Sequence, residues 1–348
     1  MPSLLPTSPD ALALAGLLGR AMARVEKRLR LQLQSELPPV QRLLEHVERY
    51  HGKMVRPYVA ILSALASLPT PTAPASLDDA TADSAVAEPH IVVACVCEMI
   101  HIATLVHDDV LDDADTRRQS ATVNSLRGNE AAVILGDYLF SAAYHLCSQL
   151  DDQAVALLVA QVGMTLCAGE LLQLHHRENF SLDEATYYTI VEKKTASLIA
   201  AACKLGASGA GEPTARRFYD FGIALGIAFQ IQDDLLDLTG QERVVGKSLG
   251  KDLEKGKLTL PVIHHLAAAS PAQRARSLEV LSLAAGDSTH RHGAEVVAAL
   301  KSTGSIDHAR HVAEKFVAKA KLALDPIPDS PAKRVLLGLA DAVVARAF

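Results

Sequence analysis

Tryptophan is absent from the 348 residues, and phenylalanine and tyrosine number seven each. Aromatics at 4% leave little material for a pocket walled by π faces, which is one way a protein stabilises a cation. Cysteine is sparse and odd in number, at Cys95, Cys97, Cys147, Cys167 and Cys203. No CxxC pair occurs, and all five lie in apolar stretches of helical character. Free, buried thiols in a reducing, cytoplasmic compartment are therefore expected, rather than disulfides, a metal site or a redox pair. No GxxxxGK[ST] loop is present, which excludes a P-loop nucleotide site. Glycine and proline do not cluster at hairpin spacing. There is no excess of positive charge; the formal net charge is −6, which argues against a general nucleic-acid or anionic-membrane surface. No basic segment precedes the first apolar stretch, so a secretory signal is not expected. The most apolar runs, Ile91–Val106 and Ala154–Leu174, are interrupted by Glu98, His101, Gln161 and Glu170. Neither reaches the roughly 18–20 clean apolar residues of a membrane span.

Hydrophobic residues make up 49% of the chain, with Ala and Leu dominant, which favours helix. The fold class expected is all-α, in one domain over residues 10–348 after a loose tail at 1–9. Helices are expected from Asp10 to about Leu37, over Val40–Tyr50, His90–Asp112, Gln153–His175, Leu182–Ala207 and Pro213–Asp237, with another opening within Asn124–Leu139. Residues 69–89, rich in Pro, Ala, Ser, Thr and Asp, read as a mobile surface insertion.

Two acidic stretches repeat one spacing. Leu105–Arg118 reads LVHDDVLDDADTRR, with Asp108, Asp109 and Asp112; Phe229–Asp237 reads FQIQDDLLD, with Asp233, Asp234 and Asp237. On a helix, residues three and four apart are neighbours, so each stretch is a compact carboxylate cluster. Such clusters repel themselves unless countered, and their natural partner is a hard divalent cation, above all Mg²⁺. No alternating acidic loop with a central Gly and final Glu is present, which excludes an EF-hand. One cluster alone reads equally well as a solvated acidic face; two at the same spacing, the first followed by paired arginines, do not.

DDVLD with downstream Arg117–Arg118, and the later FQIQDDLLD, resemble the two aspartate-rich motifs of the trans-isoprenyl diphosphate synthases, or polyprenyl synthetases. The resemblance runs from about Pro39 to the C-terminus, and is strongest to long-chain octaprenyl and solanesyl types. It implies a helical bundle of the isoprenoid-synthase type, usually homodimeric. The implied reaction condenses isopentenyl diphosphate with an allylic diphosphate, repeatedly, to a long all-trans polyprenyl diphosphate. It also implies Mg²⁺ held by Asp108, Asp109, Asp112, Asp233, Asp234 and Asp237, with Asp252 extending the second site. Gly52, Lys53, Arg56, His101 and Arg118 would hold isopentenyl diphosphate, the first three within HGKMVRP. Arg117, Lys194, Thr195, Gln230, Lys247 and Lys257 would serve the allylic diphosphate. Taken alone, Lys53 and Arg56 read as surface charges, Lys194 and Thr195 as solvent-facing side chains and His101 as a satisfied core histidine; the resemblance reverses each. His107 reads as structural. Where the family continues RRG, Gln119 stands here.

Three further expectations follow. Thr104 lies one turn before Asp108 on the same face, with Ala103 beside it, roughly 6–8 Å from the metal level at 1.5 Å per residue. Short-chain relatives often place Phe or Tyr there; small residues imply an open passage and a long product, with Phe140 and Tyr144 as candidate floors and a short farnesyl or geranylgeranyl product as the alternative. A terpene cyclase is disfavoured by the aromatic shortage and the full second DDxxD. A non-catalytic subunit of a heteromeric synthase is disfavoured because the acidic and basic residues are all present. Partners are thus prenyl diphosphates and a second copy, with peripheral membrane contact allowed during product release and no nucleic acid.

Overall fold

The computed structural model describes residues 9–50, 52–68, 86–118, 120–239, 251–285 and 292–345. The helices are α1 (Pro9–Gln32), α2 (Pro38–Val47), α3 (Val55–Ala66), α4 (Glu88–Leu111), α5 (Val123–Arg127), α6 (Asn129–Ser148), α7 (Gln153–His175), α8 (Glu184–Val191), α9 (Ser197–Gly206), α10 (Glu212–Thr239), α11 (Lys251–Glu254), α12 (Leu260–Ala268), α13 (Pro271–Ala284), α14 (Gly293–Ser302), α15 (Ser305–Ala323) and α16 (Pro331–Val344). Among the described residues the strands are two, β1 (Thr116–Arg117) and β2 (Ser120–Ala121), paired antiparallel. The all-α class holds.

Boundaries differ where proline and glycine decide. α1 stops at Gln32 rather than near Leu37; Leu37 itself precedes a proline and is extended, at φ −86° and ψ 110°. Pro38 then opens α2, where its missing N–H is harmless. The stretch 124–139 is not one helix: Gly128, at φ 84°, separates α5 from α6. Most of the 69–89 insertion lies outside the described residues. Its end is tied to the fold: Val86 is buried, Arg24 donates to its carbonyl at 2.7 Å, and α4 begins at Glu88.

The chain divides into two compact units, each drawn from separated stretches. The first comprises residues 1–163, 198–222 and 323–339; the second 164–197, 223–322 and 340–348. The first is built on α4, packed by α1, α3 and α6. Residues Ile91–Ile100 of α4 are buried without a break, the pattern of a helix enclosed on all sides. The second unit's core joins Tyr187, Ile231, Leu235, Leu258, Val262 and Ile306, among others.

Close helix approach in the first unit depends on Gly206. A Cβ there would overlap the carbonyl oxygen of Ala60 on α3. Gly206→Ala is expected to destabilise the protein by about 1–3 kcal/mol through overpacking. An unchanged urea midpoint would refute that.

Two expectations about apolar segments change. By length and composition α4 and α7 are each apolar enough to cross a membrane, despite their polar interruptions. The apolar stretch of α4 is 72% buried inside the protein, but that of α7 only 28%. Likewise Cys167, on α7, is exposed, while the other four cysteines are buried. It lies on the same outward strip as Met164 and Leu171.

Candidate active site

The first motif occupies the last turn of α4. Asp112 caps the helix, its N–H reaching the carbonyl of Asp108 at 2.8 Å. Asp108 and Asp112 are half-buried on one face. Asp109 is 1% exposed and turns inward. Its Oδ1 accepts from Arg117 Nε at 2.8 Å and pairs with Nη2 at 2.8 Å, while its Oδ2 is buried with no hydrogen-bond partner. The β1–β2 ladder returns the chain so that Arg117 can reach Asp109, a hairpin that sequence spacing did not reveal. Thr122 closes the base of this loop, donating to Ala114 O at 2.6 Å.

Arg118, at φ 50°, donates to Tyr50 O at 2.6 Å. Its guanidinium occupies the space where a side chain on residue 52 would stand, so a larger residue there would have to displace Arg118. Tyr50 is buried and its phenol is pushed up to about 12, first by burial and then by the charge of Asp109. Glu98, one turn before His101, is 2% exposed, and its Oε2 has no partner. Burial raises its carboxyl, opposed by Arg56 and then Arg118. Burial also lowers the Arg56 guanidinium, opposed chiefly by Glu98; Arg56 Nε is likewise buried without a partner. Burial first, then Arg56, Arg117 and Arg118, hold the His101 imidazole well below 6.5; it is neutral at pH 7. The first unit therefore brings Arg56, His101, Arg117 and Arg118 into one electrostatic group. Gly52 sits against Arg118, and Lys53 is exposed. Tyr50 and Glu98 were not expected as site residues; the legible signal was a glutamate inside an apolar run. His107 is structural as expected, contacting Val133 O at 3.0 Å and stacking on Phe140.

The second unit holds another pocket, lined among others by Gln173, Tyr187, Lys194, Thr195, Gln230, Asp234, Asp252 and Lys257. Between α8 and α9 the helix widens into a π turn, Glu192–Ala196, a local form often found at functional sites. This turn sends successive side chains to different neighbours. Lys194 Nζ meets Glu170 at 2.5 Å and Gln173 at 2.8 Å, both on α7. Thr195 donates to Gln230 on α10 at 2.9 Å. Two glycines admit the bulge: a Cβ at Gly169 would stand 2.7 Å from Lys194 N, and one at Gly226 would stand 2.5 Å from the Cα of Ala196.

Within the second motif Asp233 is half-buried, while Asp234 and Asp237 are buried. Asp237 accepts from the backbone N–H of Asp252 at 3.1 Å. Asp234 accepts from Gln230 Nε2 at 2.8 Å and Tyr187 OH at 2.7 Å. Lys257 follows Gly256, at φ 63°, and its N–H reaches Asp252 O at 2.8 Å. Lys247 lies outside the described residues. Tyr187, Glu170 and Gln173 are site residues that sequence reasoning missed.

Ala103 is fully buried, while Thr104 is half-buried and donates to His101 O at 2.8 Å. Of these two small residues, Thr104 has the open face. Tyr144 is exposed and Phe140 half-buried.

The donor set suits a hard divalent cation. Asp108 and Asp112 share a partly exposed face, and the buried Asp109 Oδ2 has an unfilled acceptor. Among the described residues no three His, Cys, Asp or Glu side chains close around one point. A cation held by one or two carboxylates, water and substrate phosphate needs no such cage.

Residues 38–300 match the Polyprenyl synthetase family. The chain is 33% identical over 328 residues to the octaprenyl diphosphate synthase of Escherichia coli (strain K12), covering 93% of this chain and 95% of that one. It resembles a solved decaprenyl diphosphate synthase from Rhodobacter capsulatus with a TM-score of 0.84 at 34% identity, covering 97% of this chain and 99% of that one. A polyprenyl synthase from Caulobacter crescentus CB15, solved with calcium and isoprenyl diphosphate, gives a TM-score of 0.84 at 30% identity, over 96% and 97% of the two chains. With paired aspartate motifs, paired arginines and a helical fold all in agreement with these likenesses, the chain belongs to the polyprenyl synthetase family.

Proposed function

We propose that this chain joins isopentenyl diphosphate to an allylic diphosphate and repeats the step to make a long-chain all-trans polyprenyl diphosphate. The observation that carries this is the pairing of two DDxxD clusters with cationic side chains built for diphosphate: Arg56, Arg117 and Arg118 in one unit, Lys194 and Lys257 in the other. Residues 10–348 act as one polyprenyl synthetase domain in this reading.

Lys53, Arg56, His101 and Arg118 bind isopentenyl diphosphate. Neutral His101 donates a hydrogen bond without adding charge. Lys194, Thr195 and Lys257 orient the allylic diphosphate, with Lys247 as a further contact. The allylic carbon–oxygen bond breaks with its electron pair leaving on diphosphate, whose growing charge is met by Arg117, Lys194 and Lys257. The isopentenyl double bond attacks the allylic carbon. A proton then leaves the new cation for the released diphosphate, restoring a double bond. Mg²⁺, which Asp108 and Asp112 would hold in the first unit and Asp233 in the second, would supply Lewis-acid stabilisation of the leaving group when bound. The calcium in the Caulobacter crescentus structure supports a divalent cation here. Small residues at 103 and 104, and the octaprenyl and decaprenyl products named for the relatives, support the long chain.

The direct test is incubation of the purified chain alone with farnesyl and isopentenyl diphosphates and Mg²⁺, followed by product chromatography. Products longer than geranylgeranyl are expected. No elongation by the chain alone would favour a subunit that needs a partner.

A homodimer and a cytoplasmic location are part of the proposal. Buried, unpaired cysteines suit a reducing compartment. On α7, Leu157, Met164 and Leu171 are 67%, 74% and 67% exposed, seven residues apart and so on one face. On α6, Ile134, Tyr138 and Tyr144 also face outward. Covering such strips favours association. Light scattering is expected to give about twice the 37.0 kDa chain mass, and Met164→Glu to shift it toward one. A fully active monomer would count against assembly.

A further inference from the structure

The hairpin that carries Arg117 and Arg118 is too small to hold itself. Its ladder pairs Thr116 with Ala121 and Arg117 with Ser120, and a two-stranded ribbon of that length has no independent stability in water. What it touches therefore decides where the two arginines point. On one side the anchors belong to the first motif: Asp109 takes Arg117, and Thr122 and Asn124 donate to Ala114 O at 2.6 and 3.2 Å. On the other side they come from the end of α2 and the single turn after it, Glu48–Tyr50. His46 Nε2 meets Ala121 O at 2.7 Å, and since a carbonyl only accepts, His46 is the donor. Four residues on, the Tyr50 ring lies edge-on to His46, with centroids 6.0 Å apart. The Tyr50 hydroxyl accepts from Val123 N–H at 3.3 Å, and the Tyr50 carbonyl takes Arg118 Nη1 at 2.6 Å.

Tyr50 thus grips the hairpin and the residue just beyond it, by main chain and by side chain, and at 2% exposed it has no room to drift. Arg118 needs such a grip. Its backbone is left-handed, at φ 50°, a conformation that a residue with a side chain keeps only when its surroundings impose it. The charge of Arg117 also acts against its own. Held at Nη1, the guanidinium lies across Gly52, where a Cβ would have to displace it. A guanidinium has five N–H donors, so one carbonyl does not exhaust it. Two residues after Tyr50 the chain reaches Gly52, and it turns into α3 at Met54, itself at φ 51°. One residue therefore stands at the head of that loop and holds the arginine opposite it.

We propose that Tyr50 is a positioning residue for isopentenyl diphosphate: with His46 it sets Arg118 of the hairpin against the Gly52–Arg56 loop, so that both walls of the diphosphate cradle stand in place before the ligand arrives. This rests on the proposed reading of those residues as the isopentenyl diphosphate site. A cradle fixed in advance has less freedom to lose on binding, so the effect falls on affinity for that one diphosphate. Arg117 is held by Asp109, so the allylic side depends less on Tyr50.

Tyr50→Phe deletes the oxygen that holds Val123 N–H and keeps the ring. His46→Leu deletes the donor to Ala121 O. Each is expected to raise KM for isopentenyl diphosphate roughly fivefold to twentyfold, the scale of one lost hydrogen bond. KM for farnesyl diphosphate and kcat at saturation should stay within about twofold. His46→Gln, whose amide can still donate to Ala121 O, should stay within about twofold of wild type in all three. A readout without turnover accompanies these: calorimetric titration with isopentenyl diphosphate alone, which cannot be elongated without an allylic partner. Its Kd should rise in Tyr50→Phe and in His46→Leu by the same factor as KM. Thermal midpoints are measured beside it. The inference is overturned if the midpoints of both variants fall while Kd for isopentenyl diphosphate stays at the wild-type value, which is a structural role alone. It is equally overturned if KM rises alike for both substrates. Should wild type bind isopentenyl diphosphate yet elongate nothing, the proposed function fails, while the Kd comparison still decides the role of Tyr50.

Discussion

Asp108→Ala is expected to cut turnover on the order of a thousandfold, the scale of losing a metal-centred charge partner in the transition state. The fold should survive. Asp108 is half-buried at the C-terminal end of α4, where the helix dipole disfavours a carboxylate, so its removal costs little stability. Asp233→Ala should behave the same way on the second motif. EDTA should abolish activity in the wild-type protein, and added Mg²⁺ should restore it. Circular dichroism and thermal midpoints of the variants separate lost chemistry from lost structure. Asp109→Ala is a different experiment: it strips Arg117 of its buried partner and should lower stability as well as rate. Undiminished turnover in metal-free buffer would sink the metal reading for both motifs.

Thr104→Phe is expected to move the released products from long chains to farnesyl and geranylgeranyl diphosphates. The side chain lies one turn from Asp108 on the same helical face, roughly 6 Å along the axis. A prenyl tail leaving the metal level along that face passes it within the first units. Thr104 is half-buried, so a larger ring can project into open space there. Ala103 is the weaker place for this test, because it is fully buried and a ring there would overpack the core around α4. Product chromatography with isopentenyl diphosphate in excess reads the result. An unchanged product distribution, or wild type that already stops at geranylgeranyl, would remove this position from control of chain length.

Much of the fold is legible because helix formation is local. Apolar spacing of three and four residues marked α7 at its observed bounds and α10 to within two residues at either end. The break expected between Leu37 and Val40 is present, though it opens earlier, between Gln32 and Pro38. The aspartate spacing marked the motif helices for the same reason: four residues on a helix is one turn, whatever the rest of the chain does. Residue chemistry then carried the argument from paired carboxylates and arginines to a diphosphate and a divalent cation.

What depended on tertiary structure is everything that requires two distant segments to meet. Asp108 and Asp109 are adjacent in sequence, yet only packing turned Asp109 onto Arg117 and left Asp108 half-buried. Asp233 and Asp234 part company in the same way, because Tyr187, 47 residues before Asp234, comes from another helix. The π turn at Glu192–Ala196 has no local signature; it exists where Gly169 and Gly226 leave room for a wider backbone. Glu98 reads as an interruption in an apolar run until Arg56 and Arg118 are seen to oppose its burial. The exposed strip on α7 differs from the buried run on α4 only in what surrounds it, since the two helices share nearly the same hydropathy. Sequence determined which side chains could do this chemistry and which stretches coil into helices, both short-range properties; packing decided which carboxylates face a ligand and which brace their neighbours, because that choice is made by contacts the linear spacing does not contain.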